Sequence, residues 1–335
     1  MGWYRMLARP AFLALPPETA HRLAQVLLAL PLPWERLGGA VRDPVLQTSL
    51  AGIPLQNPLG LAAGFDKSGA RLDALGRLGF GYVVGGTFTR HPRRGNPRPR
   101  IVRLRASESL ANAMGLPNAG AEHAATTLAR TRPTSPRLAS IADEAIEDAV
   151  ETLALLEPQV DATELNASCP NVSWGRDRDN EAHLSLLLRA LGARRSKPLL
   201  VKLPPFETGR EREAVLGLAR VAVEGGADGL TCSNTRPVRD VRLSTGGGGL
   251  SGRAVSRDTV RIVSEVAQAI EREVPIAACG GVSSTGDALA CLDAGASTVQ
   301  LYTSLVFRGP GVVGELTAGL ATGLRARGGL LAPAR

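Results

Sequence analysis

The chain has 335 residues, of which 44% are hydrophobic and only 4% aromatic, with 38 glycines and a formal net charge of +8. This composition is typical of a soluble globular protein packed with Ala, Leu and Val, and it excludes disordered and fibrous proteins. The length suits one barrel domain with a small appendage better than two domains of equal size.

The four cysteines, Cys169, Cys232, Cys279 and Cys291, show neither a Cys-x-x-Cys pair nor the Cys/His spacing of a zinc site. The pattern therefore predicts no disulfide framework and no metal, and it is typical of a reducing cytoplasm.

Positive charge is densest between Arg90 and Arg105, a stretch with seven arginines, one histidine and no acidic residue. Nucleic-acid binding is one interpretation, but no aromatic side chains that could stack on bases are interleaved with the arginines. A solvated loop, or a surface that meets anionic lipid or an anionic substrate, explains the charges better. No nucleic-acid partner is therefore expected.

Residues 1–40 differ in character from the rest. A first apolar set occupies residues 3–13, and the Pro-Pro-Glu-Thr segment at 16–19 then opens a second helix, because proline and an acidic residue favour the first turn. That helix ends at the prolines at 31 and 33. The apolar stretch 23–34 is too short to span a bilayer, and charged residues argue against a signal peptide. A helical hairpin packed on the main domain and an amphipathic pair in a membrane interface both remain open.

From residue 41 onward, short apolar strands alternate with segments of helical periodicity, several of which end in glycine. The predicted strands are Leu59–Ala63, Tyr82–Thr87, Arg137–Ile141, Asp161–Asn166, Leu199–Leu203, Gly229–Ser233, Pro275–Cys279 and Thr298–Tyr302. The predicted helices include Ala70–Leu78, Asp143–Leu156, Glu181–Leu191, Glu211–Glu224, Ser256–Glu273 and Thr285–Ala294. Eight strands alternating with helices predict an α/β protein, a (β/α)8 TIM barrel over residues 41–335.

Active sites of this fold lie at the carboxyl ends of the strands, and the richest chemistry follows the fourth strand, in the segment Asn-Ala-Ser-Cys-Pro-Asn at 166–171. Each carboxamide both donates and accepts hydrogen bonds, so Asn166 and Asn171 could bracket a planar, polar heterocycle. Cys169 could act as a base or nucleophile where its surroundings favour the thiolate. A buried cysteine between two turn asparagines is the alternative.

The other strand ends support the functional interpretation. Glycines after the seventh strand, with backbone donors and a helix after the eighth, are the phosphate cradle typical of this fold. Lys202, on the fifth strand, could stabilise an anionic reduced flavin ring by its charge.

Together these motifs resemble the dihydroorotate dehydrogenase family over nearly the whole chain. Residues 57–67 (Asn-Pro-Leu-Gly-Leu-Ala-Ala-Gly-Phe-Asp-Lys) resemble its first strand and substrate lysine, and residues 112–118 resemble its Asn-Arg-Met-Gly-Phe-Asn segment. Gly86-Thr87 with the prolines that follow resembles its second-strand loop. The segments 248–253, 279–281 and 299–303 resemble its flavin-phosphate side.

The resemblance implies FMN as cofactor and dihydroorotate or orotate as ligand. The implied cofactor residues are Ala62, Ala63, Gly64, Thr87, Lys202, Ser233, Gly252, Gly280, Gly281, Tyr302 and Thr303. The implied substrate residues are Lys67, Asn112, Asn166, Asn171, Asn234 and Thr235. In the implied reaction, Cys169 removes the proton from C5 while hydride passes from C6 to flavin N5.

The first forty residues resemble the quinone-linked, membrane-associated class, in which a hairpin shapes a quinone tunnel. His21 and Arg103 fall where polar tunnel residues would lie. The resemblance implies a quinone as electron acceptor and a peripheral position on the cytoplasmic side of the cell membrane. No protein partner is predicted.

Two features depart from that class. Cys169 stands where it normally has serine, and residues 140–144 (Ser-Ile-Ala-Asp-Glu) stand where it has Gly-Lys-Asn. The loop at 172–178 also lacks the usual Pro-Gly-Leu-Arg. Two further hypotheses therefore stay open: an FMN-dependent ene-type oxidoreductase acting on another pyrimidine or a cyclic enone, and a catalytically silent flavin-binding barrel.

Overall fold

The computed structural model describes residues 4–143, 145–167 and 180–329. Cys169 and Asn171, predicted as base and substrate residue, lie outside the described residues, as do Glu144 and the loop at 172–178.

Fourteen strands and twelve helices are described. The strands are β1 (Thr48–Leu50), β2 (Ile53–Leu55), β3 (Leu59–Leu61), β4 (Tyr82–Phe88), β5 (Ile101–Leu104), β6 (Ser109–Asn112), β7 (Arg137–Ile141), β8 (Ala162–Asn166), β9 (Leu199–Lys202), β10 (Gly229–Cys232), β11 (Arg236–Arg239), β12 (Gly247–Gly252), β13 (Ile276–Cys279) and β14 (Thr298–Leu301). The helices are α1 (Arg9–Ala14), α2 (Pro17–Leu28), α3 (Trp34–Gly38), α4 (Leu72–Gly76), α5 (Ala121–Ala129), α6 (Ile146–Leu156), α7 (Asn180–Gly192), α8 (Gly209–Glu224), α9 (Ser256–Ala269), α10 (Thr285–Asp293), α11 (Thr303–Arg308) and α12 (Val312–Ala326).

Eight parallel strands close into a barrel in the order β3, β4, β7, β8, β9, β10, β13 and β14. These are the eight predicted strands, with ends that differ by at most two residues, so the predicted TIM barrel is confirmed. Every residue of these strands is buried. In the sequence, such strands appear as continuous apolar runs, because helices cover their outer face and side chains fill the interior of the barrel.

The barrel interior has an apolar floor. Side chains from five of its strands pack there with Leu50 and Leu55 of the β1–β2 hairpin, which closes the amino-terminal end. The interior residues of this cluster are Tyr82, Val84, Leu138, Ala162, Leu200 and Ala277. Because successive strand residues alternate between faces, the residues two positions after these also point inward, toward the carboxyl ends.

The sequence did not predict the second sheet. Four antiparallel strands in the order β11, β12, β6 and β5 are formed by the loops after β4 and β10. Gly249 of β12 pairs with Asn112 of β6 in this sheet. A strand as rich in glycine as β12 lacks the apolar alternation that marks a strand in a sequence.

The predicted second N-terminal helix is present as α2, which begins at Pro17 and ends at Leu28, before the prolines. Glu18 of α2 accepts hydrogen bonds from Arg98 (Nε to Oε2, 2.8 Å) and Arg100 (Nε to Oε1, 3.0 Å). Arg103 donates to the carbonyl oxygens of Leu13 and Leu15 at 3.2 and 2.7 Å. Several arginines of the basic run therefore hold the N-terminal helices on the barrel. The division of the chain at residue 40 stays a prediction.

Candidate active site

A cavity of about 1120 Å³ opens at the carboxyl ends of the barrel strands, between them and α2. Sixteen predicted site residues line it: His21, Ala62, Ala63, Gly64, Lys67, Thr87, Asn112, Asn166, Lys202, Asn234, Thr235, Gly252, Gly280, Gly281, Tyr302 and Thr303. Two other predicted site residues that the structure describes, Ser233 and Arg103, do not line the cavity. Ser233 is buried at the end of β10, where its backbone N–H donates to the Cys279 carbonyl at 2.9 Å, and Arg103 holds the carbonyls named above.

Neighbouring polar groups orient two of the carboxamides. Asn166, the last residue of β8, donates from Nδ2 to Thr87 Oγ1 at 3.3 Å, and that hydroxyl lies 3.0 Å from Ser140 Oγ. Asn112 donates from Nδ2 to the Gly249 carbonyl at 3.3 Å, which ties it to the second sheet. Both side chains line the cavity, so each can still meet a ligand there.

Lys67 follows β3 and is held by a tight local turn. The Asp66 carboxylate accepts hydrogen bonds from the backbone N–H groups of Ser68, Gly69 and Arg71 at 2.9, 3.0 and 2.6 Å. The ammonium of Lys67 donates to the Gly64 carbonyl. Burial lowers the pKa of Lys67 to about 8, against the opposing charge of Asp66. Lys67 therefore remains a cation at pH 7, suited to binding a carboxylate.

Glycines line the side of the cavity near β13 and β12. Gly281 has φ +71° and Gly252 has φ +89°, a backbone conformation that favours glycine. A Cβ on Gly281 would collide with the backbone of Ser256, and one on Gly252 with the Glu108 carbonyl. Only glycine therefore fits at these two positions, and backbone N–H groups in glycine-rich segments of this kind can bind a phosphate.

A buried polar layer that was not predicted from the sequence lies beneath this rim. Thr231 donates from Oγ1 to Glu164 Oε2 at 2.9 Å, and Glu164 Oε1 lies 4.0 Å from Lys202 Nζ. Lys202 Nζ also lies 3.6 Å from Cys279 Sγ. The alternation of side chains between the two faces of a strand was the sequence signal for this layer. Glu164 stands two residues before Asn166 and therefore shares its inward face.

Aromatic and polar groups connect α2 to the barrel end of the cavity. The His21 and Phe65 rings meet edge-on at 5.4 Å, as do those of Phe65 and Tyr302. Gln25, one turn after His21, donates from Nε2 to the Phe65 carbonyl at 2.9 Å. Burial lowers the pKa of His21 to about 4, and the charge of Lys67 adds to this effect. His21 is therefore neutral at pH 7.

A parallel barrel with a carboxamide-rich cavity and a glycine cradle at its strand ends defines the class of TIM-barrel enzymes that bind a phosphate-bearing ligand. A family model described as dihydroorotate dehydrogenase matches residues 45–324. The chain belongs to the dihydroorotate dehydrogenase family of flavin-dependent oxidoreductases.

Similar proteins cover almost the whole chain. A protein of Rhodospirillum rubrum named "Dihydroorotate dehydrogenase (quinone)" is 39% identical over 97% of this chain and 92% of its own length. A protein of Methylococcus capsulatus with the same name is 36% identical, over 93% and 97%. A structure of Eimeria tenella DHODH in complex with ferulenol is 29% identical, with a TM-score of 0.81 over 93% of this chain and 92% of its own.

Proposed function

We propose that this protein oxidises dihydroorotate to orotate with FMN as cofactor and a quinone as electron acceptor. The observation that carries the proposal is the single cavity in which Lys67 and the asparagines Asn112, Asn166 and Asn234 face a glycine cradle. The relatives named as quinone-dependent enzymes support the choice of acceptor.

The residues around the cradle fit a flavin mononucleotide. When bound, FMN supplies a ring that accepts a hydride. Backbone N–H groups near the glycines would hold its phosphate, and Lys202 would place a positive charge beside its ring. The cavity-lining residues proposed to hold FMN are Ala62, Ala63, Gly64, Thr87, Lys202, Gly252, Gly280, Gly281, Tyr302 and Thr303. For Ser233, which does not line the cavity, the role rests on the family resemblance alone.

The carboxamides suit a planar diimide that also carries a carboxylate. Lys67 would bind the carboxylate, because its buried ammonium is charged at pH 7 and faces the cavity. Asparagine side chains pair with both the N–H and the C=O groups of such a ring. The residues proposed to hold the ring are Asn112, Asn166, Asn171, Asn234 and Thr235.

Cys169 is the proposed base, three residues after the end of β8. A thiolate at this position would accept the proton from C5 of dihydroorotate. Lys67 and the asparagines would orient C6 for hydride loss, so the two hydrogens would leave from adjacent carbons.

We further propose that residues 1–40 form a hairpin that leads a quinone to the cavity and rests on the cytoplasmic face of the cell membrane. Large apolar side chains are exposed there: Met6 is 72%, Val26 59% and Leu30 45% exposed. Amphipathic helices of this kind can lie in a membrane interface. Within the described ranges, no helix is long and apolar enough to cross a membrane.

An anaerobic titration of the purified, FMN-loaded protein with dihydroorotate tests the reaction. The visible flavin band should bleach, because hydride transfer reduces the ring. A flavin that dihydroorotate leaves oxidised would contradict the proposal. Bleaching by another dihydropyrimidine, or reoxidation of dithionite-reduced flavin by a cyclic enone, would then favour the ene-type oxidoreductase.

Liposome flotation tests the membrane surface. Val26→Glu should reduce binding to vesicles and lower quinone reduction, while reduction of a soluble dye stays at the wild-type level. The matched control is Leu186→Glu on α7, which also replaces a half-exposed helical side chain (52% exposed). Equal loss of flotation in the two variants would contradict a specific role for α2.

A further inference from the structure

We propose that Glu164 is a positioning residue whose buried carboxylate holds Lys202 at the proposed flavin site and would set the reduction potential of FMN bound there. The inference rests on the proposed function only in taking Lys202 as a flavin neighbour. It does not depend on which substrate reduces the flavin.

The carboxylate of Glu164 lies wholly inside the barrel, with 0% of the residue exposed. It sits between Ala162, which belongs to the apolar floor, and Asn166, which lines the cavity, on the inward face of β8. The hydroxyl of Thr231 donates to Oε2 at 2.9 Å. Oε1 accepts no hydrogen bond within the part of the chain that the structure describes. Its nearest charge is the ammonium of Lys202, at 4.0 Å.

This geometry leaves Lys202 able to serve a ligand. A separation of 4.0 Å is longer than a hydrogen bond, so Glu164 holds the ammonium by charge. One N–H donates to Cys279 Sγ at 3.6 Å, and an ammonium has two more that can turn toward the cavity. Lys202 is only 5% exposed and lines that cavity. An ammonium buried to this extent needs a counter-charge, because an unpaired charge in a low-dielectric interior is strongly unfavourable.

Cys279 is the other group beside Lys202, with Sγ 3.6 Å from Nζ. Burial raises the pKa of the Cys279 thiol, and the charge of Lys202 only partly opposes that effect. Cys279 is therefore neutral at pH 7. Of the described residues, Glu164 is then the carboxylate that lies beside the ammonium of Lys202, and Cys279 offers a polarisable sulfur contact.

The pair has a consequence for the flavin. Reduction places negative charge on the ring, which the ammonium of Lys202 stabilises and the carboxylate of Glu164 opposes at longer range. Removing the carboxylate should have two effects. At pH values where Lys202 stays protonated, the reduction potential of the flavin should rise. In addition, Lys202 should lose its proton at a lower pH than in the wild type, because its counter-charge is gone.

Glu164→Gln tests this proposal, since the amide keeps the shape and can still accept from Thr231. The midpoint potential of bound FMN is measured with dithionite and reference dyes from pH 6 to 9. At pH 6 the variant should favour reduced flavin by about tenfold, which is about 30 mV for a two-electron couple. At higher pH its potential should fall more steeply than that of the wild type.

Cys279→Val is the matched control, because it removes a neighbour of the same ammonium without changing charge. Its potential should shift less than that of Glu164→Gln. If Glu164→Gln fails to retain FMN, Thr231→Val serves instead. Without the hydroxyl, the carboxylate of Glu164 loses its hydrogen bond from Thr231 and is held less firmly beside Lys202, so the potential should shift by a smaller amount than in Glu164→Gln.

Potentials and pH profiles identical to the wild type in a flavin-loaded Glu164→Gln or Thr231→Val variant would overturn the proposal. So would a shift in Cys279→Val as large as that in Glu164→Gln. Because dithionite replaces dihydroorotate, the result stands apart from the proposed reaction. If the wild type binds FMN but dihydroorotate does not reduce it, the proposed reaction is rejected. The measured potentials would still decide the role of Glu164.

Discussion

The two walls of the cavity are built in different ways. In the barrel wall, all seven residues of β4 are buried, and the neighbouring strands are equally enclosed. In the opposite wall, α2 buries Ala20 and Leu28 among its twelve residues. It is held by polar contacts such as those of Glu18 with Arg98 and Arg100. The barrel wall therefore derives its stability from extensive apolar burial, whereas α2 combines a smaller apolar contact, which includes Leu28, with hydrogen bonds and ion pairs.

The largest effect on activity is expected at the proposed base. Cys169→Ala should retain FMN but slow flavin reduction by dihydroorotate by about 10²–10⁴-fold, because a general base contributes about that much. Anaerobic stopped-flow absorbance measures this rate. Cys169→Ser should be intermediate, with its pH dependence shifted upward, since a hydroxyl loses its proton less readily than a thiol. Unchanged reduction kinetics in the Ala variant would remove Cys169 from the mechanism.

The stability difference between the walls can be measured directly. Leu200→Ala in the apolar floor should lower the free energy of unfolding by about 2–5 kcal/mol, because it removes buried methyl groups and leaves a cavity. Val26→Ala on the exposed face of α2 should change it by less than about 0.5 kcal/mol. Urea unfolding followed by circular dichroism gives both values. Similar losses in the two variants would contradict the comparison.

The α2 wall should also show a pH signature at His21. Burial lowers the pKa of His21 from 6.5 to about 4, so the unfolded chain takes up a proton first as the pH falls. The stability due to neutral His21 is present above pH 6.5 and is lost as the pH falls through about 4, a change of about 1–3 kcal/mol. His21→Gln should lack this component of the pH–stability profile. An identical profile in both proteins would show that His21 titrates normally.

The smallest effect is expected at Glu18. Burial would raise the pKa of Glu18, but hydrogen bonds and charge from Arg100 and Arg98 outweigh burial and lower it. The ion pairs therefore stabilise the protein above about pH 4.5, and this contribution is lost as the pH falls through the lowered pKa. Glu18→Gln should lower the melting temperature slightly at pH 7, and the difference should vanish in acid. In the same Glu18→Gln variant, quinone reduction should fall while reduction of a soluble dye persists. Loss of both activities would mean that α2 also supports the flavin site.

Much of the barrel was predictable because its strands are buried on both faces. Segments such as Leu199–Lys202 and Gly229–Cys232 form short apolar runs between helical repeats, and their ends are sharply marked. The residues that follow each strand could also be placed together, because parallel strands bring their carboxyl ends to one rim. Most of the candidate site lies there.

Contacts between distant segments were not predictable. The sheet that contains β6 and β12 joins loops more than a hundred residues apart, and glycine-rich strands carry no apolar alternation. The arginines at 98, 100 and 103 gave a charge pattern but no indication that α2 would be their partner.

The sequence by itself determined the alternation of strands and helices, the rim on which the polar residues lie, and the family. Local periodicity and motif spacing are sufficient for these because each is written in neighbouring residues. Only the tertiary structure decided that Glu164, Lys202, Thr231 and Cys279 meet in one buried layer. Pairing of β8 with β9, of β9 with β10 and of β10 with β13 brings these side chains together in register, and that pairing joins segments that are distant in the sequence.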